Sequence, residues 1–385
     1  MMQSALISIL QSVLIEDHPL DKALARAELD GRHKSETVQA AQHLVRYARR
    51  YGALAGRSWP LKSGDLSALL AAWAALESPS LPLKLKPFTQ DKALLAEVKA
   101  NPVLWQSYPD WLYELMSERL GDAWPALAEA LNRPPAQYLR ANTLHGDAGA
   151  LKKRLAEEKV ATDVISDSCL KLKRFANVFR TQAFKEGRFE QQDWGSQQIA
   201  QLLGAAPGMT VIDACAGAGG KTLALAAQMQ NKGRLLAMDI FEGKLQALRK
   251  RARRAGVHNL ETRVIEGSAT IKRLKGKADR LLLDVPCSGL GVLRRNPDAK
   301  WTIAPEHLDN LIAIQREILD SYPRMLKAGG KLVYATCSLL PQENQLQVAD
   351  FIARSAGQFV LESEHTLSPV EGNTDGFYMA LISRQ

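Results

Sequence analysis

Two cysteines and one aspartate stand after apolar runs, where they could do covalent chemistry. The run 281–283 ends in Asp284, and Cys287 follows three residues later. A second apolar run, 333–335, ends two residues before Cys337. A thiol is a good nucleophile, and a positive neighbour lowers its pKa. If both runs are parallel strands, their carboxyl ends share one sheet edge. This predicts a reactive centre with two thiols and a carboxyl group.

A Gly-rich turn over 213–222 follows another apolar run and predicts a nucleotide-like ligand. Cys215 stands where a Walker A loop needs glycine, which excludes that motif. Thr222 stands where the dinucleotide fingerprint needs its third glycine, so that fingerprint fails and a nicotinamide dehydrogenase is the least favoured hypothesis. S-adenosylmethionine tolerates looser loops, and Asp239 closes the next strand, where a carboxylate can accept from both ribose hydroxyls. We therefore expect S-adenosylmethionine as the cofactor, with a purely structural turn as the alternative.

Thiols and a carboxyl group beside a methyl donor suit methylation of cytosine at carbon 5. That carbon is a poor nucleophile until a thiolate adds to carbon 6, and a carboxyl group at N3 stabilises the charge that develops. Lys221 is a candidate for the positive charge that activates a thiol. The residues alone leave open which cysteine attacks.

The segment 284–301 closely resembles a signature of the RNA cytosine-5 methyltransferases of the Sun/RsmB group. Thr336–Ser338, followed by Glu343 and Asn344, resembles the second signature of that family, and 213–222 resembles its first motif. Further matches are 108–112, Arg140, Asn142, Gln192, Asp193, Ser196, Gln197 and 375–377.

This resemblance implies a role for each candidate residue. Cys337 is implied as the nucleophile, and Cys287 as the residue that assists release of the methylated product. Asp284 would contact the target base, with Lys221 in the catalytic pocket, and no metal is implied. The residues implied to hold S-adenosylmethionine are Cys215, Ala216, Gly217, Ala218, Gly219, Gly220, Lys221, Asp239, Ser268 and Asp284.

Two positions depart from the family pattern. Ala218 stands where the family usually has proline, and because alanine keeps the loop small we expect cofactor binding to survive. Ser268 stands where the family often has aspartate, and a serine hydroxyl can still bond the adenine amino group.

Alternation of strands and helices predicts an α/β fold, a Rossmann-like doubly wound methyltransferase domain over 194–385. We expect a small α+β subdomain over 131–193 before it, and a helical N-terminal domain over 1–130. Predicted strands of the main sheet are 209–214, 235–239, 261–265, 281–285, 331–335 and 377–383, and its helices 222–230, 244–255, 305–326 and 342–355. In the subdomain we expect a helix at 148–158 and strands at 138–142, around Val164, and at 170–172 and 178–179.

The N-terminal 130 residues carry apolar residues at helical spacing, interrupted by a Pro-rich break at 78–87. Asp21–Leu24 and Arg46–Arg50 weakly resemble the NusB-like RNA-binding domain of one branch of the family.

Composition narrows the class further. With 385 residues, 46% hydrophobic and 24% charged, the chain is an ordinary soluble protein, and no apolar run approaches the roughly 18 residues of a membrane helix. The four cysteines form no CxxC pair, so a structural zinc site is not expected. The net charge of +9 suggests RNA as partner, with phosphate contacts from 244–254, Arg294, Arg295 and Arg46–Arg50. We expect a cytoplasmic monomer that binds no membrane.

Ribosomal RNA is the favoured substrate, with transfer RNA as an alternative. Two other hypotheses are an RNA-binding assembly factor with an inactive methyltransferase fold, and a methyltransferase acting on an exocyclic nitrogen or a small molecule. The second has no use for two active-site thiols.

Overall fold

A computed structural model describes residues 2–29, 31, 33–77 and 83–385. The chain divides into two units. The first comprises Met1–Pro134 and Val292–Ala304, and the second Pro135–Gly291 and Pro305–Gln385. Among the described residues, none of the helices combines the length and the apolar character needed to span a membrane.

The first unit is helical, as predicted. Leu6, Leu10, Leu44 and Leu66 are fully buried, and they form its core together with other apolar residues of the same helices. Pro79 and Pro82 of the predicted Pro-rich break lie outside the described residues. Its helices are α1 (Met2–Leu14), α2 (Leu20–Arg26), α3 (Lys34–Arg46), α4 (Ala48–Leu54), α5 (Leu66–Glu77), α6 (Lys92–Ala100), α7 (Pro102–Gln106), α8 (Asp110–Leu120) and α9 (Trp124–Asn132).

The second unit begins with a small antiparallel sheet of strand order β2-β3-β1-β4. Leu139, Leu170 and Phe189 are fully buried between this sheet and its helices. The elements are β1 (Tyr138–Ala141), α10 (Ala148–Glu157), β2 (Thr162–Ser166), β3 (Cys169–Leu172), α11 (Gln182–Lys185) and β4 (Phe189–Gln191).

The main sheet has seven strands in the order β10-β11-β9-β8-β5-β6-β7. Its five strands from β9 to β7 are parallel, and β11 and β10 are antiparallel at one edge. The strands are β5 (Thr210–Asp213), β6 (Arg234–Asp239), β7 (Leu260–Val264), β8 (Ala278–Asp284), β9 (Leu326–Thr336), β10 (Phe359–Leu367) and β11 (Phe377–Arg384). The helices that follow in chain order are α12 (Trp194–Leu202), α13 (Gly220–Gln228), α14 (Glu242–Ala255), α15 (Ser268–Lys272), α16 (Ala299–Thr302), α17 (Pro305–Ser321) and α18 (Gln345–Arg354).

The order of the strands places a switch point between β5 and β8. From β5 the chain proceeds to β6 and β7 on one side, and it then returns to β8 and β9 on the other. In such sheets ligands bind at the carboxyl ends of the strands beside the switch point. Those ends carry Asp213, Asp239 and Asp284, so the doubly wound fold predicted from the sequence directs the search to this edge.

The segment 292–304, which contains α16, belongs to the helical unit. Trp301 Nε1 donates to the Val45 carbonyl at 2.7 Å, and the Leu20 backbone N–H donates to Asp298 Oδ2 at 3.0 Å. Part of the signature that follows Cys287 is thus packed among the N-terminal helices.

Two local predictions need correction. Residues 178–179 are not a strand but part of a 3-10 turn, Val178–Arg180. The helix predicted to reach residue 326 ends at Ser321, because Pro323 lacks the N–H that a continuing helix requires. Strand β10 was not predicted, because it is an edge strand whose exposed positions are mostly charged or polar.

Candidate active site

The loop after β5 depends on two glycines with left-handed backbone conformations. Gly217 has φ = +53° and Gly219 has φ = +87°. A Cβ atom on Gly219 would lie 2.0 Å from Leu248 Cδ1, so a larger residue there would collide with α14. The chain then enters α13 at Gly220.

Two arginines from outside the loop bond its carbonyl groups. Arg251 Nη1 donates to the Ala218 carbonyl at 2.7 Å, and Arg140 Nη2 donates to the Gly220 carbonyl at 3.3 Å. Arg140 is buried, and its Nε donates to Gln192 Oε1 at 2.7 Å. The small sheet and the basic helix α14 therefore both fix the loop, a role that the sequence motifs did not suggest for Arg251.

Asp239 holds its carboxylate in one orientation at the end of β6. The Gly217 N–H donates to Oδ2 and the Phe241 N–H donates to Oδ1, each at 2.9 Å. The side chain lines a cavity of about 380 Å³ at the carboxyl ends of β5, β6 and β8. Each carboxylate oxygen has a further lone pair, so this group can accept from ribose hydroxyls.

The walls of the same cavity are apolar although they face solvent. Ile240, Phe241 and Ile314 line it with exposed fractions of 60%, 55% and 44%. Exposed large apolar side chains that converge on one cavity mark a binding site for an apolar or aromatic group. A planar base against these walls and a ribose at Asp239 fit the adenosine part of S-adenosylmethionine.

The cavity includes some of the residues predicted to hold the cofactor and omits others. Cys215, Gly217, Asp239 and Asp284 line it. The residues that do not line it are Ala216, Ala218, Gly219, Gly220, Lys221 and Ser268. Ser268 is an exposed residue at the start of α15.

Several lining residues were missed by the sequence analysis. Helix α17 contributes Ile314, Glu317 and Ile318 from a distant part of the chain, and nothing local in its pattern marks them. The signal available for Ile240 and Phe241 was their position directly after Asp239, at the predicted strand end.

The two thiols meet beyond the strand ends of β8 and β9. Cys287 Sγ lies 3.2 Å from Cys337 Sγ, and the Cys337 backbone N–H donates to Cys287 Sγ at 3.2 Å. Both cysteines are partly exposed. The sequence suggested that the strand ends would bring them to one edge, and the structure places them in direct contact.

Lys221 and Asp284 form an ion pair at the same edge. Lys221 Nζ lies 2.7 Å from Asp284 Oδ2, with 12% and 30% of the side chains exposed. Burial alone would lower the pKa of Lys221, but the charge and hydrogen bond of Asp284 raise it, and Cys337 and Asp213 add to that effect. Lys221 is therefore a cation that interacts electrostatically with the Cys337 thiol.

The surroundings of Cys287 favour its protonated form. The hydrogen bond to Cys337, burial, and the electrostatic interactions with Cys337 and Glu343 all raise the pKa of Cys287 well above its usual value. In the resting site Cys287 is thus held as a neutral thiol.

The other two cysteines are set apart from this pair. Burial raises the pKa of Cys169, in the small sheet, to about 12. Burial also raises the pKa of Cys215 well above its usual value, and this thiol lines the cofactor cavity. Neither is activated as a nucleophile.

Most of the arginines of α14 are engaged within the protein. Arg251 and Arg254 both pair with Glu190, and Arg249 pairs with Glu242. Lys250 and Arg253 of the same helix are exposed. The sequence predicted phosphate contacts along the whole helix, and these two residues remain available for them.

The prediction of phosphate contacts was wrong for three arginines outside α14. Arg46, Arg50 and Arg294 are buried, with exposed fractions of 7%, 9% and 2%. Arg46 Nη2 donates to the Arg294 carbonyl at 2.7 Å, and Arg294 Nη2 donates to the Ala130 carbonyl at 3.2 Å. They brace the helical unit instead of meeting solvent.

Comparisons with known proteins cover both sheets. Residues 200–383 match the family model described as 16S rRNA methyltransferase RsmB/F, and 108–179 match the ferredoxin-like domain of RsmF/B-like methyltransferases. The chain is 32% identical over 313 residues to ribosomal RNA small subunit methyltransferase B of Proteus mirabilis, and 35% identical over 312 residues to the protein of that name from Vibrio cholerae. Each alignment covers 78% of this chain and 71% of the relative.

A solved structure, that of PH0851, has the same fold. Its TM-score is 0.81 at 22% identity, with 99% of both chains covered. The predicted fold class is therefore confirmed. From the site geometry and these matches together, the chain belongs to the RsmB/F family of 16S rRNA methyltransferases and is a methyltransferase that uses S-adenosylmethionine.

Proposed function

We propose that this protein methylates carbon 5 of a cytosine in small-subunit ribosomal RNA through a transient bond between Cys337 and carbon 6. The observation that carries the proposal is the 3.2 Å contact between the Cys287 and Cys337 sulfurs at the sheet edge that also holds the cofactor cavity. The relatives from Proteus mirabilis and Vibrio cholerae, both called ribosomal RNA small subunit methyltransferase B, favour this RNA as the substrate.

S-adenosylmethionine supplies an electrophilic methyl group when it is bound. Asp239 would hold its ribose, and Ile240 and Phe241 would cover its base. Gly217 allows the backbone to approach the ligand closely, since it has no side chain. The cavity extends to Asp284, which links the cofactor side of the edge to the thiol side.

Cys337 is the proposed nucleophile. Its sulfur forms a bond to carbon 6 of the cytosine, and the electron pair of the C5–C6 double bond moves towards carbon 5 and N3. The Lys221 ammonium favours the negative charge that develops on the ring, and Asp284 can accept a hydrogen bond from the exocyclic amine. Carbon 5 then becomes nucleophilic enough to accept the methyl group.

Cys287 is proposed to act after the methyl transfer. Once Cys337 is bonded to carbon 6, its sulfur is a thioether, so the hydrogen bond that is the largest cause of the raised pKa of Cys287 is weakened. Cys287, which is partly exposed, can then release its own proton to solvent, and its thiolate takes the proton from carbon 5. The electron pair of that C–H bond restores the C5–C6 double bond, and the S–C6 bond breaks, returning its electron pair to Cys337.

The target cytosine must leave its stack to reach thiols at a sheet edge. We propose Lys250 and Arg253, which are exposed on α14, as phosphate contacts. We further propose that the protein acts as a monomer, since one chain supplies every residue named for the site. We also propose that it works in the cytoplasm.

The test is transfer of labelled methyl from S-adenosylmethionine to small-subunit RNA from cells that lack this protein. Wild type, Cys337→Ala and Cys287→Ala are compared, with Cys169→Ala as a control thiol outside the site, and adducts are sought on denaturing gels. We expect wild type and Cys169→Ala to label carbon 5 of cytosine, Cys337→Ala to be inactive and Cys287→Ala to accumulate a protein–RNA adduct.

Two results would overturn the proposal. Cytosine methylation by Cys337→Ala would show that another group attacks. RNA binding by wild type without any methylation would favour an assembly factor instead.

A further inference from the structure

A buried carboxylate, Glu343, lies beneath both thiol loops. It is fully buried in the 3-10 turn Pro341–Glu343 that follows β9. The Ser288 backbone N–H donates to Oε1 at 2.8 Å, and the Ser288 hydroxyl donates to Oε2 at 2.6 Å. The Ser338 hydroxyl also donates to Oε2. One side chain thus bonds the residue that follows Cys287 and the residue that follows Cys337.

The residues before the two cysteines are held by neighbours of Glu343. Gln315 Nε2, from α17, donates to the Pro286 carbonyl at 2.9 Å and to Glu343 Oε1 at 3.0 Å. The Thr336 hydroxyl donates to Asn344 Oδ1, and Asn344 Nδ2 donates to the Ser338 carbonyl at 2.9 Å. Each cysteine is therefore the middle residue of a tripeptide that is anchored at both ends.

The charge of Glu343 fixes the direction of this network. A carboxylate only accepts, so both serine hydroxyls must donate to it. Their oxygens are then free to accept from the backbone, and the Leu340 N–H donates to Ser338 Oγ at 3.1 Å. A glutamine at position 343 would present an amide N–H on one side, and the serine facing that N–H would have to accept a hydrogen bond instead of donating one.

Burial of a carboxylate among neutral donors is unfavourable, so its presence needs a reason. The four donors are a backbone amide, two hydroxyls and a side-chain amide. Its negative charge is also one of the causes that raise the pKa of Cys287. Because all four partners donate, a neutral amide in its place would leave at least one of them facing another donor.

We infer that Glu343 is a positioning residue that holds the Cys287 and Cys337 loops together, so that the two sulfurs stay in contact throughout the reaction. The inference extends the proposed function, because the methylation mechanism requires one thiol to act after the other. A misplacement of about 1 Å between reacting groups costs on the order of 10²-fold in rate.

The test measures the contact of the thiols without RNA or cofactor. A diazene oxidant joins two adjacent thiols into a disulfide and takes up their two hydrogens, and mass spectrometry of peptides quantifies the Cys287–Cys337 bond. The variants are Glu343→Gln, and Ser288→Ala with Ser338→Ala, which keeps the carboxylate and removes two donors. Phe359→Leu, a core substitution in the edge strand β10, is the stability control.

We expect both network variants to slow formation of this disulfide by about tenfold or more, while Phe359→Leu keeps the wild-type rate. In methylation assays Glu343→Gln should lower kcat and leave the KM for RNA unchanged. Cross-linking at the wild-type rate in both network variants would overturn the inference, and so would equal slowing by Phe359→Leu. If wild type fails to methylate RNA but Glu343→Gln still slows cross-linking, the proposed function fails and the role of Glu343 stands.

Discussion

Lys221 and Lys300 are both shielded from solvent, and their surroundings drive their pKa values in opposite directions. Lys221 pairs with Asp284 at the strand-end site, where the carboxylate outweighs burial and raises its pKa. Lys300 lies in the helical unit, where burial and the charges of Arg46 and Arg50 lower its pKa well below the usual value. A buried cation with a carboxylate partner remains charged and can stabilise negative charge, whereas one beside other cations tends to neutrality.

The groups that the two lysines contact differ in the same way, structural for Lys300 and part of a site for Lys221. Lys300 Nζ donates to the Arg46 carbonyl at 2.7 Å and to Asn132 Oδ1 at 3.2 Å, and it lies 4.3 Å from the centre of the Tyr108 ring. These are groups that tie helices together. Asp284, the partner of Lys221, lines a cavity and keeps 30% of its side chain exposed. The difference teaches that exposure and partner, not residue type, separate a reactive cation from a structural one.

The largest expected effect falls on the thiol side of the strand-end site. Cys337→Ala should lower methylation by on the order of 10⁴-fold or more, because the covalent route is lost. Single-turnover transfer of labelled methyl measures it. Cys169→Ala, in the small sheet, should stay close to wild type. Similar losses in both variants would mean that the thiols of this protein are not divided into reactive and structural ones.

Lys221→Met tests whether the ion-paired lysine stabilises the developing charge. We expect kcat to fall about 10²- to 10³-fold. The matched control is Lys300→Met, which should keep kcat at a temperature where the variant is folded. Equal losses of kcat in the two variants would remove the distinction between the lysines.

The salt dependence of RNA binding separates exposed from buried cations. Lys250→Ala with Arg253→Ala should reduce the slope of log K against log salt by about 2, one for each phosphate contact. Arg46→Ala should leave that slope unchanged and lower the free energy of unfolding by about 1–3 kcal/mol, because the buried Arg294 carbonyl loses its donor. Fluorescence anisotropy at several salt concentrations measures the first effect, and urea titration the second. A change in the salt slope of RNA binding in Arg46→Ala would contradict the conclusion that the Arg46 side chain is buried away from RNA.

The smallest effect on activity is expected for Lys300, whose contribution is to the pH dependence of stability. Its pKa is lowered in the folded protein, so between that pKa and about 10.5 the unfolded chain binds more protons. The free energy of unfolding therefore rises with pH in this window, by at most about 1.4 kcal/mol per pH unit.

Lys300→Met should remove this rise, and urea titrations of both proteins between pH 7 and 10 measure it. The difference between the two curves reports on Lys300, because a buried tyrosine such as Tyr51, whose pKa is raised, acts on both proteins alike. Parallel curves would show that Lys300 keeps an ordinary pKa.

Much of the fold follows from local patterns, and the exceptions have physical causes. Strands β6, β8 and β9 of the parallel sheet contain continuous, largely buried apolar runs, as expected where both faces of a sheet are covered, and such runs are readable in the sequence. Strand β10 escaped prediction because an edge strand need not be apolar. The inclusion of residues 292–304 in the helical unit depends on contacts with Val45 and Leu20, which lie far away in the chain.

The sequence by itself determined the chemistry that is available and the edge where it collects. The Gly-rich loop, Asp239, Asp284 and the two cysteines all stand at strand ends, and the topology of a doubly wound sheet gathers such ends. Each of these residues lies within a few positions of the strand that carries it, so the pattern of apolar runs was enough to predict where it would stand.

Only the tertiary structure decided which groups are partners. It placed the two sulfurs 3.2 Å apart and set Glu343 beneath both thiol loops. It also paired Lys221 with a carboxylate, whereas Lys300 donates to a backbone carbonyl and a side-chain amide oxygen. It also buried Arg46, Arg50 and Arg294, which the sequence suggested as phosphate contacts. The physical reason is that burial and pairing are properties of packing between distant segments, and the dielectric and charge that a side chain meets there set its pKa and its role.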